Sequence, residues 1–283
     1  VDRTEYSLLI CGATLAGLGA AAAASEAKRD VIVVERTSLV GREFIEAFNP
    51  GSGWGKPATD FGRNVRNDWV ERNLMEENGP VHLPGLHPVL CLHIKRYGLK
   101  VRFLTEIVGI AERDGRYEVL LQDASGCRPM LVGEILDTST ERLTVPGQLV
   151  VPGSKRLNAY LHHPDLRNAA IPAPFDESMT VCRGRFPSEV ILKVNVAPGA
   201  DWLEARQRLH RFWQARPAEW ASWTIAAVAG TFDSTVPGGL QRLGERWSWL
   251  PSEAFANPLS AIDQGYGSYT GTEGKRDAAK AGK

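Results

Sequence analysis

A mixed α/β chain is the fold class that the sequence predicts, with a parallel β-α-β opening, a small antiparallel β-meander and an inserted α+β region. Three observations carry that prediction. Residues 6–34 run through a short apolar stretch, a glycine turn, an Ala-rich segment and a second apolar stretch of β-branched residues. Residues 107–132 read as three strands separated by Asp114-Gly115 and Ser125-Gly126, dipeptides that favour tight hairpin turns. Between about residues 143 and 255 prolines and tryptophans accumulate, a change of composition that marks a second packing unit.

The opening justifies itself element by element. Tyr6, Ser7, Leu8, Leu9, Ile10 and Cys11 are apolar enough for a buried strand, which Gly12 ends. Leu15 to Lys28 is built from good helix formers, and Val31 to Val34 is β-branched and ends at Glu35. Short connections of this kind make a right-handed crossover with parallel strands. Gly12, Ala13, Thr14, Leu15, Ala16 and Gly17 stand where a Rossmann-like G-x-G-x-x-G turn would place unpaired helix N–H groups toward a diphosphate. Thr14 replaces the middle glycine; its Cβ narrows the approach to phosphate, and its hydroxyl offers a donor in return. Glu35, about twenty residues past the turn, is placed to accept hydrogen bonds from ribose hydroxyls and to repel a 2′-phosphate.

Farther along, Leu86, Val89, Leu90, His93, Ile94 and Tyr97 fall at helical spacing, Gly98 stops that helix, and Val101 to Leu104 follows as a strand. Ile107–Ala111, Tyr117–Gln122 and Met130–Val132 form the meander, and Glu134 to Asp137 returns to the main sheet. Val190 to Val196 reads as a strand. Trp202, Leu203, Ala205, Leu209, Phe212 and Trp213 read as a helix capped by Asp201. Trp220, Trp223, Trp247 and Trp249 read as core filling rather than as a stacking surface. Arg63 to Arg72, with Asn, Asp and Glu interleaved, reads as a solvated helix face.

The 283 residues hold 33 Lys+Arg against 33 Asp+Glu, with 43% hydrophobic and 23% charged. This is a globular composition, and its neutral balance excludes a strongly basic nucleic-acid binder. Cys11, Cys91, Cys127 and Cys182 form no Cys-x-x-Cys pair, which argues against a zinc ribbon or a dense disulfide framework and for a reducing, cytoplasmic setting. Residues 8–24 imitate a secretory signal, but Asp2 and Glu5 precede them and Gly12, Gly17 and Gly19 interrupt them. No run reaches the ~18 apolar residues of a membrane span. His82, His87 and His93 have no metal-ligand spacing, so no metal is expected; His162 and His163 are the better candidates for proton transfer.

Four pieces resemble the FAD-dependent oxidoreductases of the glutathione-reductase-like, two-dinucleotide-binding superfamily. They are Ile10 to Ala20, Glu35 to Arg42, Gly98 to Val108 and Gly133 to Thr140. The resemblance implies FAD as cofactor, with Glu35 and Arg36 near the ribose and Gly41 and Arg42 in a turn near the diphosphate and flavin. It further implies adenine contacts from the strand ending at Val108, and Asp137 in an Asp-Ala-Thr-Gly-like motif. A fainter echo, Asn257 to Gly265, implies a helix start facing the flavin and makes Asp263 and Gly265 candidates. Arg42 and Thr140 stand where the family often has glycine. Residues 1–142 then form the main part of an FAD-binding domain and 143–255 an inserted substrate or cap region. Residues 256–270 are the return to the first domain, and 271–283 a flexible tail. Trp54, in the loop of residues 49–57, is placed near the flavin or anchors that loop.

The function so implied is oxidation of a small organic substrate by hydride or electron transfer, with electrons passing to oxygen or to a partner protein. The chain carries no second glycine fingerprint, which argues against an internal NAD(P)H-reductase arrangement. Two alternatives stay open: an NAD-dependent dehydrogenase, which has no use for the meander, and a non-catalytic flavin-fold subunit of a larger complex. Catalytic residues are not legible.

Overall fold

The computed structural model describes residues 5–148, 150–165 and 170–281, with side chains described as far as residue 270. Its first apolar stretch is split. Ser7 turns its N–H and hydroxyl onto the Asp30 carbonyl, so β1 (Glu5–Tyr6) and β2 (Leu8–Cys11) enter different sheets. Beyond β2 come α1 (Leu15–Glu26), β3 (Val31–Val34), the single turn α2 (Arg42–Ile45), α3 (Asp60–Glu71), α4 (Leu83–Arg96) and β4 (Val101–Arg102). The meander is β5 (Glu106–Arg113), β6 (Arg116–Asp123) and β7 (Gly126–Val132), and β8 (Ile135–Asp137) follows.

The main sheet runs β14-β15-β8-β2-β3-β4, where β14 is Gln241–Gly244 and β15 is Trp247–Trp249. All its pairings are parallel except β14 on β15. Both faces are covered, as a parallel sheet requires. Helices α1, α3, α4 and α6 (Pro258–Ala281) pack one face around Ile10, Val33, Trp69, Leu86 and Ile262, while the meander covers the other against Leu9, Ile32, Val119 and Val132. In the meander sheet β1 lies parallel to β7, and Asp114 and Gly115 both take positive φ at the β5–β6 turn, as a two-residue hairpin turn demands.

A third sheet, antiparallel, has the order β10-β11-β9-β12, with β9 Ser154–His162, β10 Met179–Arg183, β11 Val190–Val196 and β12 Thr224–Val228. The short β13 (Asp233–Thr235) also pairs with β9. Helix α5 (Trp202–Gln214) packs on this sheet through Ala205, Leu209 and Trp213, and its Asp201/Glu204 capping box is complete. Trp213, Trp220 and Trp223 are buried in this second core.

Two boundaries differ from the sequence expectation. The chain rejoins the main sheet at β14 and β15, ahead of position 256, because Trp247–Trp249 pairs with Ile135–Asp137. The segment from Gly271 continues α6 as helix to Ala281 rather than forming a separate tail; residues 282 and 283 lie outside the described residues.

Candidate functional site

At the carboxyl ends of β2, β3 and β8 lies an open cleft of about 530 Å³ that reaches to the inserted sheet. Ligands of open α/β sheets sit outside these strand ends. Cys11, Gly12, Thr14, Glu35 and Arg36 line it from the parallel sheet and its turns, Arg42, Glu43 and Glu253 from flanking segments, and Lys155 and Phe232 from the inserted region.

The glycine turn has the backbone that the motif needs. Gly12 takes φ +99°, a conformation natural to glycine, and a Cβ at Gly17 would stand 2.4 Å from the Gly12 carbonyl oxygen. Thr14 is the N-cap of α1: its hydroxyl oxygen accepts from the Gly17 N–H at 3.0 Å and its O–H donates to Thr138 Oγ1 at 2.7 Å. The side chain is therefore committed to the helix cap and to Thr138. Such a cap satisfies one of the donors that a helix start leaves unpaired.

Glu35 is buried at the end of β3. Its Oε2 accepts from the Ala13 N–H at 2.9 Å, and its Oε1 from the N–H and hydroxyl of Thr37, each at 2.8 Å. The carboxylate thus sits rigidly beside the turn. Arg36 is paired with Glu141 at 2.7 Å; since they follow β3 and β8, the two neighbours of β2, the pair bridges over the end of β2.

The remaining helix-start donors are held by residues that sequence reasoning missed. Leu15 N–H donates to Glu43 Oε1 at 2.8 Å, Ala16 N–H to Ser252 Oγ at 3.1 Å, and the Ser252 hydroxyl to Glu43 Oε1 at 2.6 Å. Glu43 Oε2 is shut off from solvent with no hydrogen-bond partner, and so is Glu253 Oε2. Burial pushes the Glu43 carboxyl up to about 7 against the opposing bonds from Ser252 and Leu15. Burial, then the nearby Glu43, raises Glu253 well above the carboxylate range. The signal for Glu43 was local, an acid directly after the Gly41-Arg42 turn. The contact with Ser252 joins positions too far apart for spacing to reveal.

The other predicted positions divide by place. Arg42 lines the cleft and is ion-paired with Glu46 one turn on. Gly41, at φ +67°, donates its N–H to the Ala13 carbonyl at 2.9 Å and brings α2 against α1, outside the cleft lining. Asp137 is buried behind the lining. It accepts from the N–H and hydroxyl groups of Ser139 and Thr144, while burial raises its carboxyl. Val108 is exposed at a register shift in β5, and its neighbours Glu106 and Ile107 line the cleft instead. Asp263 accepts from Ala58 N, Thr59 N and Thr59 Oγ1, so it ties α6 to the start of α3. At Gly265 a Cβ would stand 2.1 Å from the Ala16 carbonyl oxygen. Neither Asp263 nor Gly265 is brought to the cleft.

Among the described residues no histidine lines the cleft. His93 is bonded to Asp68 at 3.1 Å, His82 to Glu189, and His163 accepts from the Asp165 N–H at 3.0 Å on the surface. Trp54 packs against the main core. Among the described residues no group of three His, Cys, Asp or Glu is arranged to hold a metal, and no helix is long and apolar enough to cross a membrane.

No protein-family model and no curated protein matches the sequence. Solved structures do match. The p-nitrophenol 4-monooxygenase of Pseudomonas putida is 13% identical, over 94% of this chain and 77% of its own, with TM-score 0.59. Aklavinone-11 hydroxylase, solved with FAD and aklavinone, is 15% identical over 94% of this chain, with TM-score 0.58; this chain spans 62% of its length. A geranylgeranyl bacteriochlorophyll reductase-like protein of Thermoplasma acidophilum is 10% identical over 98% of this chain and 80% of its own, with TM-score 0.66. The fold of this chain is the Rossmann-type, FAD-binding α/β fold of these flavoproteins.

Proposed function

We propose that the chain is an oxidoreductase of the glutathione-reductase-like superfamily that binds FAD in this cleft and oxidises a small organic substrate, an aromatic one by the kinship of fold with hydroxylases of p-nitrophenol and aklavinone. One observation carries the reading: a single cleft joins the carboxyl edge of the parallel sheet to the inserted sheet. The residues present fit the cofactor. Glu35 would take the ribose hydroxyls, Gly12 would let the diphosphate approach the backbone, and Arg42 would add positive charge. Lys155 and Phe232 would border the flavin end. When bound, FAD supplies the hydride or electron transfer, while the chain positions and shields the reactants. The meander over the sheet favours FAD over NAD.

A flavin-fold subunit without cofactor is the second reading, favoured by the engagement of the Leu15 and Ala16 N–H groups by protein atoms. Titration of the purified protein with FAD, followed by flavin fluorescence, separates the two. Saturable binding is expected, and Glu35→Gln should weaken it about tenfold through loss of a charge-assisted hydrogen bond. Absence of binding would favour the subunit. Unchanged affinity in a folded Glu35→Gln protein would remove the ribose assignment.

A further inference from the structure

We infer that the main sheet carries a second ligand site at its amino-terminal edge, built around Arg246, for a small carboxylate with a short hydrocarbon tail. The site lies at the strand ends opposite the FAD cleft, and it stands independently of the FAD reading.

Ser7, Glu134 and Arg246 stand directly before β2, β8 and β15, which run parallel, so the three residues gather at one edge of the sheet. The Ile135 N–H donates to the Arg246 carbonyl at 2.9 Å, which fixes the Arg246 backbone there. Together with Arg29, Arg116 and Glu5 they line a concavity of about 390 Å³. Its charges do not balance. Arg29 is paired with Glu134 at 2.9 Å and Arg116 with Glu5 at 3.2 Å, which leaves Arg246 over. Among the described residues no hydrogen bond or ion pair engages its guanidinium. Of its three nitrogens only Nε is closed off from solvent without a partner, so Nη1 and Nη2 are the ones that a ligand reaches. Nη2 passes beside the β5–β6 turn, where a Cβ on Gly115 would stand 3.6 Å from it.

The second half of the site is apolar. Arg246 and Glu134 are also walls of a narrow slot of about 40 Å³ against β8, β15 and α6, lined by Leu8, Leu136, Leu240, Leu250 and Tyr269. Leu240 stays 43% exposed there. One unpaired guanidinium thus has a polar concavity on one side and a hydrocarbon wall on the other. Its planar fork matches a carboxylate, which can accept from two nitrogens at once. A single negative charge balances the one cation left over, whereas a dianion would bring a second charge against Glu5 and Glu134. A tail laid in the slot covers Leu240 and adds affinity with each methylene removed from water. An apolar wall with one convergent polar group is the usual make-up of a small-molecule site.

The test is a titration of the whole chain with hexanoate, acetate and hexanol, each followed by NMR into the millimolar range. Hexanoate should bind saturably, at least about tenfold more tightly than acetate, which lacks the tail, and at least about tenfold more tightly than hexanol, which lacks the charge. In Arg246→Gln the hexanoate affinity should fall at least about tenfold, to the level of hexanol, with the circular dichroism of the chain unchanged. Absence of saturable hexanoate binding overturns the inference. Equal affinity for acetate and hexanoate overturns it by removing the apolar half, and equal affinity for hexanol and hexanoate overturns it by removing the guanidinium. These comparisons need no variant. Unchanged hexanoate affinity in a folded Arg246→Gln protein overturns it as well, since the ligand then sits elsewhere on the chain.

Discussion

At the scale of single residues, the site turns on how few atoms decide the state of one helix start. Thr14 at the position of the middle glycine is accommodated because its hydroxyl caps Gly17 and donates to Thr138. The expectation of a donor turned toward phosphate missed this, since the partner lies 124 residues away. Glu43 is the costlier residue. Its raised carboxyl means that the folded chain holds a proton which the unfolded chain releases. Stability therefore falls as pH rises from the ordinary value of 4.5 through about 7, and levels off above. The full penalty is on the order of 3 kcal/mol from the size of the shift. Glu43→Gln should abolish that slope, so urea midpoints measured at pH 5.5 and 8 should differ less in the variant than in wild type. Equal slopes in both proteins would show that Glu43 is ordinarily ionised in the folded chain.

At the scale of elements, α1 and α6 approach so closely that glycine is required on both. A Cβ at Gly19 would stand 2.0 Å from the Ile262 carbonyl oxygen, and one at Gly265 2.1 Å from that of Ala16. Backbone on both sides leaves no flexible side chain to yield, so Gly265→Ala should force the helices apart and cost at least about 1–3 kcal/mol. A lower urea midpoint at unchanged m-value is the expected reading, and an unchanged midpoint would mean that α6 shifts freely. The elements legible in the sequence were those with local signals. The β-α-β opening had its glycine turn, the meander its two hairpin dipeptides, and α5 its capping Asp201. Gln241–Gly244 and Trp247–Trp249 were not legible, because strands of three or four residues carry no period. Trp247–Trp249 enters the main sheet by parallel pairing with Ile135–Asp137, more than a hundred residues away, and Gln241–Gly244 joins by antiparallel pairing with Trp247–Trp249. Within the site the same divide holds: Gly12 and Glu35 belong to one crossover, whereas Glu43 and Ser252 meet only through the tertiary fold.

At the scale of the whole molecule, a buried polar cluster ties the inserted sheet to the body beside the cleft, while His82–Glu189 and Arg185–Glu76 join the two farther along. Asp233, on β13, accepts from Lys193 and Asn158, each at 3.1 Å, and is paired with Arg156 at 3.3 Å. Asn158 and Lys193 reach on to the segment after α2, donating to the Ala47 carbonyl at 2.7 Å and to Asn49 Oδ1 at 2.8 Å. That segment directly follows Arg42 and Glu43 on α2, so one acid on the inserted sheet helps to position this part of the cleft wall. Asp233→Ala would leave the half-buried Arg156 and the well-buried Lys193 without their carboxylate, a loss that commonly costs about 3–5 kcal/mol. Because Trp213, Trp220 and Trp223 lie in the core of the inserted sheet, their fluorescence weighs that unit heavily while far-UV circular dichroism reports the whole chain. Wild type should unfold with the two signals coincident. In Asp233→Ala the tryptophan transition should come first, with weakened FAD binding before the main sheet melts. Coincident transitions at a merely lower temperature would show that the outlying contacts of His82 and Arg185 suffice to couple the two units.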